Sequence, residues 1–370
     1  MSSLAIIDHV GTKAGMDYYT SNLAEALAEL GLFTEVYSNF ALEGKAKYNV
    51  TFPTEKKSNT FQKARGFIAG HFWAILAIVR NRQRLVLLHS FETGLKEFVI
   101  FGVLKLLGRK IHIILHDVEG FTGDSRWFRK IIFKNWADRV FVMNEYSREL
   151  FVSALGVEVV AKTEQIKHGN FISQISTGAN RNEARIALGY EEEEPLVLFF
   201  GQIKQVKGLD ILLEAGIKQD RYKLIVAGRC WRTEWEPYQK WIEQWNSDKL
   251  DLRLRFIPDS ERDLLFKAAD VVVLPYRKIY QSGVLIMAMS YGIPVLASDL
   301  PANREVIQDQ KNGFLFKSED VNDLRNKLDT ILQNTDFCRI IGDNGKTYVE
   351  KEYDWLSTAK VIMNNLATQP

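Results

Sequence analysis

Short apolar runs alternate with stretches of helical period along nearly the whole chain. Residues 4–8, a periodic segment at 18–30 and residues 34–38 read as strand, helix and strand. The alternation continues through strands at 84–89, 110–115 and 138–143, with a helix over about 95–107. These strands are almost entirely apolar, as a parallel sheet covered on both faces requires. Residues 172–182 lose both periods and become small and polar, which places a linker there. A second series follows, with strands at 196–200, 222–227, 252–257, 270–274 and 294–298 and helices between them. The pattern predicts an α/β protein of two doubly wound, Rossmann-like domains, 1–172 and 173–352, facing each other across a cleft. Open α/β sheets take ligands at the carboxyl ends of their strands, so that cleft is the expected site.

Composition narrows the function. With 370 residues the chain exceeds one comfortable domain, and 48 basic against 46 acidic residues leave a net charge of only +2. A chain so balanced does not hold polyanions by bulk charge, so nucleic acid is not an expected partner. The charge is unevenly shared, +5 over residues 1–180 and −3 over the rest. In the basic half, Lys63, Arg65, Arg80, Arg82 and Arg84 flank Phe67, Phe72 and Trp73, while Arg126, Arg129, Lys130 and Lys134 interleave with Trp127, Phe128 and Trp136. Two readings stand: segments that lie in an anionic lipid interface, or core-facing helices with a solvated cationic side. Asp8 and His9 interrupt the only apolar start, no apolar run reaches bilayer-spanning length, and two cysteines, Cys230 and Cys338, make no disulfide framework. A cytoplasmic location follows as the expectation, with the inner membrane surface open to it.

Four constellations carry candidate chemistry. Gly11 to Gly15, leading through Met16 into a helix, allows close backbone approach and offers amides to an anion. Gly201, Gln202, Lys204 and Lys207 follow a strand and precede a helix, so two ammonium groups stand at one strand end, suited to a diphosphate and to charge growing on a leaving group. A polar turn after another strand contains Arg277 and opens a helix at Ser282, Gly283 and Val284, whose amides would point at an anion. His116 and Asp117 end a further strand, where the imidazole can donate a hydrogen bond to a substrate hydroxyl or a developing charge. His168 lies near the linker, and His9 and His89 also stand at strand ends. No metal-ligand spacing and no nucleophile elbow occurs, and Gly345-Lys346-Thr347 lacks the upstream glycine of a phosphate loop, since position 340 is Ile.

These residues, together with the segments 255–259, 269–276 and 292–299, resemble the retaining glycosyltransferases of family 4, of GT-B fold, over nearly the whole chain. The resemblance implies a nucleotide-diphosphate-sugar donor, a UDP-sugar or GDP-sugar, and no separate cofactor or metal. It implies Lys204 and Lys207 on the diphosphate, amides of Ser282, Gly283 and Val284 on the same group, His116 and the Gly15 loop from the other domain, and a helix at about 353–370 packing back on the first domain. Transfer would run with retention to a saccharide or lipid-linked acceptor, in cell-surface polysaccharide or glycoconjugate synthesis. One departure stands out: the two glutamates that members carry eight positions apart are Ile279 and Met287 here. A non-catalytic sugar-nucleotide-binding or scaffold protein on the same fold is the alternative that this departure suggests.

Overall fold

The computed structural model describes residues 3–13, 15–53, 59–118, 125–230 and 235–367. The chain divides into two compact units, Met1–Gly169 with Asp354–Pro370, and Asn170–Tyr353. The division thus falls at 169/170, just ahead of the polar stretch read as a linker. That stretch instead holds a short 3-10 turn, Ile172–Gln174, and the start of a capped helix.

The first unit is built from β1 (Ser3–Ile7), α1 (Met16–Glu29), β2 (Phe33–Ser38), β3 (Lys47–Val50), α2 (Thr60–Arg80), β4 (Leu85–Ser90), α3 (Leu95–Leu106) and β5 (Lys110–Leu115). It continues with α4 (Arg126–Lys130), which runs into a π-helical turn at Ile131–Trp136, then β6 (Ala137–Val142), α5 (Glu145–Leu155) and β7 (Thr163–Gln165). The strands form one parallel sheet in the order β3-β2-β1-β4-β5-β6-β7. Leu4, Ile6, Leu87, Ile114 and Phe141 face a core completed by Leu23 and Leu27 of α1.

The second unit contains α6 (Arg181–Leu188), β8 (Leu196–Phe200), α7 (Leu209–Ala215), β9 (Lys223–Ala227), α8 (Gln239–Ile242), β10 (Leu250–Arg253), α9 (Asp259–Ala268), β11 (Val271–Leu274) and α10 (Gly283–Ser290). After these come β12 (Val295–Ser298), α11 (Pro301–Arg304), β13 (Phe314–Phe316), α12 (Val321–Gln333) and α13 (Thr335–Glu352). Its parallel sheet runs β10-β9-β8-β11-β12-β13. The final helix, α14 (Trp355–Ala367), belongs to the first unit, where Ala359, Ile362 and Leu366 join the core beside α1.

Two differences from the sequence reading have physical causes, and one exclusion agrees with the structure. The strand expected at 252–257 lies at Leu250–Arg253, an edge strand whose alternating Leu250 and Leu252 carry its inward face. Strands β3, β7 and β13 are short and, in the first two, polar, so they show no apolar run to read. The Gly345-Lys346-Thr347 segment lies inside α13, where no phosphate loop forms.

At the amino ends of β8 and β11 the second unit is fastened by a buried cation. Arg185 donates to Asp270 Oδ2 at 2.6 Å and to the carbonyls of Ala268, Glu192 and Glu194, while the same carboxylate oxygen accepts the Leu196 amide at 2.7 Å. Removing one partner of such a pair strands the other with its desolvation cost unrelieved. Arg185→Ala is expected to lower unfolding free energy by about 3 kcal/mol in urea titration, with little change in slope.

Candidate functional site

In both sheets the strand order reverses once, at β1/β4 in the first unit and at β8/β11 in the second. Such a reversal leaves a crevice at the carboxyl ends of the two strands, because their outgoing loops turn to opposite faces. The predicted site residues gather at these two places.

At the first, Asp8 directly follows β1 and is 1% exposed. Its Oδ1 accepts the amides of Val10 (3.0 Å) and Gly11 (2.9 Å), and its Oδ2 accepts the Thr20 hydroxyl at 2.7 Å. The glycine loop is closed from within. The Thr12 amide goes to Asn39, Lys13 to Val10, Met16 to Lys13 and Asp17 to Gly11. These amides are therefore not available to an anion, contrary to the sequence expectation for Gly11 and Met16. Gly11 is needed for another reason: at φ 52°, a Cβ there would collide with the Asn39 side chain. Gly15, at φ 75°, caps α1, and Met16 is buried.

Asp8 also starts a hydrogen-bonded relay. Thr20 Oγ1 lies 3.2 Å from His89 Nε2, and His89 Nδ1 lies 3.0 Å from His116 Nε2. Thr20 has one proton and gives it to Asp8, so His89 must donate from Nε2 and accept at Nδ1. His116 must then donate from Nε2, leaving its Nδ1 as a lone-pair acceptor. The sequence reading made His116 a donor to substrate; the relay makes it an acceptor. Burial, together with His89 and His168, holds its pKa well below the ordinary value, so it is neutral at pH 7. The ring stacks on Phe91 at 4.5 Å, and Tyr19 sets its edge or face against His89, His116, His168 and Trp355. His168 further bonds the Gly169 carbonyl at 3.0 Å. Asp117 is half-buried beyond β5; residues 119–124, which follow Val118, lie outside the described residues. No group of three His, Cys, Asp or Glu side chains among the described residues is arranged to hold a metal ion.

At the second reversal, β8 leads through Gly201 and Gln202 to a 3-10 turn, Gln205–Lys207, before α7. Gly208, at φ 63°, lets that turn press on the Pro275 carbonyl, where a Cβ has no room. The Lys207 ammonium sits 3.8 Å from the ring centroid of Tyr276, a residue just past β11. The Tyr276 hydroxyl in turn hydrogen-bonds Ser282, the N-cap of α10. Ser282 Oγ accepts the Leu285 amide at 3.1 Å, and a Cβ on Gly201 would stand 3.6 Å from Val284. Gly201, Lys207 and the start of α10 thus meet, with the amides of Gly283 and Val284 at the helix end. Lys204 caps the same turn, its carbonyl accepting the Lys207 amide at 2.9 Å.

Arg277, which the sequence leaves open between assisting an anion and facing water, is ion-paired. Its guanidinium is bidentate to Asp210 (2.7 and 2.6 Å) and donates to Glu319 (2.8 Å) and the Gln205 carbonyl (3.0 Å). It fastens the lysine turn to the end of β11 as a positioning group. The residues that sequence reasoning missed are Asp8, Thr20, Tyr276 and Asp210. Only Asp8, a charge ending an apolar strand, left a visible signal.

Residues 180–348 match the family model described as glycosyl transferases group 1. The chain is 30% identical over 290 residues to the sulfoquinovosyl transferase SQD2 of Arabidopsis thaliana, covering 75% of this chain and 56% of that protein. It spans about half the length of the curated relatives it matches. Among solved structures, a sucrose-phosphate synthase from Thermosynechococcus elongatus matches with a TM-score of 0.80 at 18% identity, covering 99% of this chain and 98% of that one. HepE of Anabaena, solved in complex with UDP-glucose, matches at 0.78 and 17% identity over the full length of both chains. The fold is that of these GT-B glycosyltransferases, and both lysines and the α10 amino end lie inside the family-matched segment.

Two measurements check the first unit. Long-range 15N–1H NMR of the His116 ring should report the neutral Nε2–H form, and Thr20→Val should mix the tautomers; an Nδ1–H ring in the unaltered chain contradicts the relay. Burial lowers His9, His71 and His112 to pKa values of about 4 from 6.5. The unfolded chain binds these protons first as pH drops, so stability should decline from about pH 6.5 toward pH 4, read as a falling thermal midpoint.

Proposed function

We propose that the chain transfers a glycosyl group from a nucleoside-diphosphate sugar to a hydroxyl of a saccharide or lipid-linked acceptor, with retention of anomeric configuration. The observation that carries this reading is the Lys207–Tyr276–Ser282 contact, which sets an ammonium group and the open end of α10 together at the β8/β11 reversal. A diphosphate placed there receives a cation and helix-end amides at once. The family match and the UDP-glucose held by HepE support the same donor class.

The acceptor oxygen attacks the anomeric carbon on the face from which the diphosphate departs. The bond from that carbon to the diphosphate oxygen breaks, and the departing phosphate takes the acceptor proton. Lys204, Lys207 and the amides of Gly283 and Val284 stabilise the charge that grows on the leaving group, a task otherwise given to a divalent ion. Gln202 and Gly201 shape the turn beneath it. In the first unit, His116 Nδ1 accepts a hydrogen bond from a sugar hydroxyl, with Asp117 and His168 beside it.

A second reading draws on Ile279 and Met287, the latter 9% exposed, which put apolar side chains where the resembled enzymes carry glutamates. On that reading the protein binds sugar nucleotides without turning them over.

Lys207→Ala is expected to lower kcat about a hundredfold with an unchanged thermal midpoint, and chelation by EDTA should leave turnover intact. Undiminished turnover in the lysine variant would falsify the assignment; tight donor binding with no transfer or hydrolysis would establish the second reading. Thermal shifts with UDP and GDP at a hundred times their Kd, worth about 2.7 kcal/mol, would identify the base.

A further inference from the structure

Three neighbouring helices of the first unit turn apolar surface outward. α2 buries His71, Ala74 and Ile78. Its opposite stripe is Phe61, Ile68, Phe72, Leu76 and Val79, all exposed and spaced three, four or seven residues apart so that they share one face. Trp73, beside the stripe, is 56% exposed. A helix apolar on all sides belongs in a core or against lipid. α3 repeats the arrangement, burying Ile100, Phe101 and Leu104 while exposing Leu95, Val99 and Leu106, the last by 89%. Trp127 of α4 is 62% exposed.

The three outer faces are continuous. Lys96 of α3 lies 5.6 Å from the Phe67 ring of α2, and Phe98 packs on Trp127 and Phe128 at 5.4 and 4.5 Å. The connections β3 to β4, β4 to β5 and β5 to β6 all advance in one direction across the sheet, so right-handed crossovers place α2, α3 and α4 on the same side. An apolar patch of this extent marks an interaction surface.

The charge around it selects the partner. Lys63, Arg65, Arg80, Arg82 and Arg84 are exposed, and residues 56–91 contain no acid. Arg126 and Lys130 add exposed cations beside Trp127. A second copy docked here by a two-fold axis would set these cations against their own counterparts.

We propose that the outer face of α2, α3 and α4 docks the protein on the surface of an anionic phospholipid bilayer. Phe61, Ile68, Phe72, Leu76 and Trp73 sink to the headgroup–acyl boundary while the lysines and arginines pair with lipid phosphates. No described helix is long and apolar enough to cross a membrane, so α2 lies in the plane of the surface. The test of this docking requires no transfer reaction.

The full chain is mixed with phosphatidylcholine vesicles with and without phosphatidylglycerol and sedimented. Binding to the anionic vesicles, weakening with salt and dropping about fivefold per basic residue removed, supports the proposal. Phe72→Asp should abolish sedimentation with an unchanged thermal midpoint, and brominated lipid should quench tryptophan fluorescence less in Trp73→Phe than in the unaltered chain. The idea is overturned by a chain that stays in the supernatant with anionic vesicles at low salt. It is equally overturned by a Phe72→Asp protein that still sediments, or by a lipid-indifferent dimer that Phe72→Asp dissociates.

Discussion

The carboxylate of Asp8 organises the first unit. Buried at the end of a central strand, it must be fully hydrogen-bonded or lose its place in the fold. Two backbone amides take one oxygen and thereby curl the chain into the glycine loop, and the Thr20 hydroxyl takes the other and anchors the first helix. The imidazoles of His89 and His116 then have only one way to order their protons. Loop shape, helix position and the polarity of the accessible ring all descend from a single charge.

The second unit solves the same topological problem with different means. Its strand order reverses in the same way, but the crevice is furnished with cations instead of neutral imidazoles. Arg277 is held by Asp210 and Glu319 so that the lysine turn keeps its place against β11. Lys207 rests on an aromatic face, which stabilises an ammonium group without cancelling its charge.

Much of this was legible in sequence because the central strands are buried on both faces and so read as unbroken apolar runs. The edge strands β3 and β7 are short and polar, and they escaped for that reason. Lys204, Lys207 and Ser282 could be placed at strand-to-helix turns from sequence because each follows a strand and precedes a helix, a local signal. The relay was not: its links join residues 12, 69 and 27 positions apart, and no local pattern joins them. The ion pairing of Arg277 was hidden for the same reason, its acids lying 67 and 42 positions away.

The open nitrogen of His116 sets a rule for anything that meets it. A hydroxyl can satisfy it, whereas a deoxy carbon or a methyl ether brings no proton and leaves the lone pair desolvated and idle. Sites of this kind reject such analogues far more strongly than a missing methylene is rejected in an apolar pocket. Under the proposed function, the hydroxyl pattern of the sugar, more than its size, becomes the property this crevice discriminates.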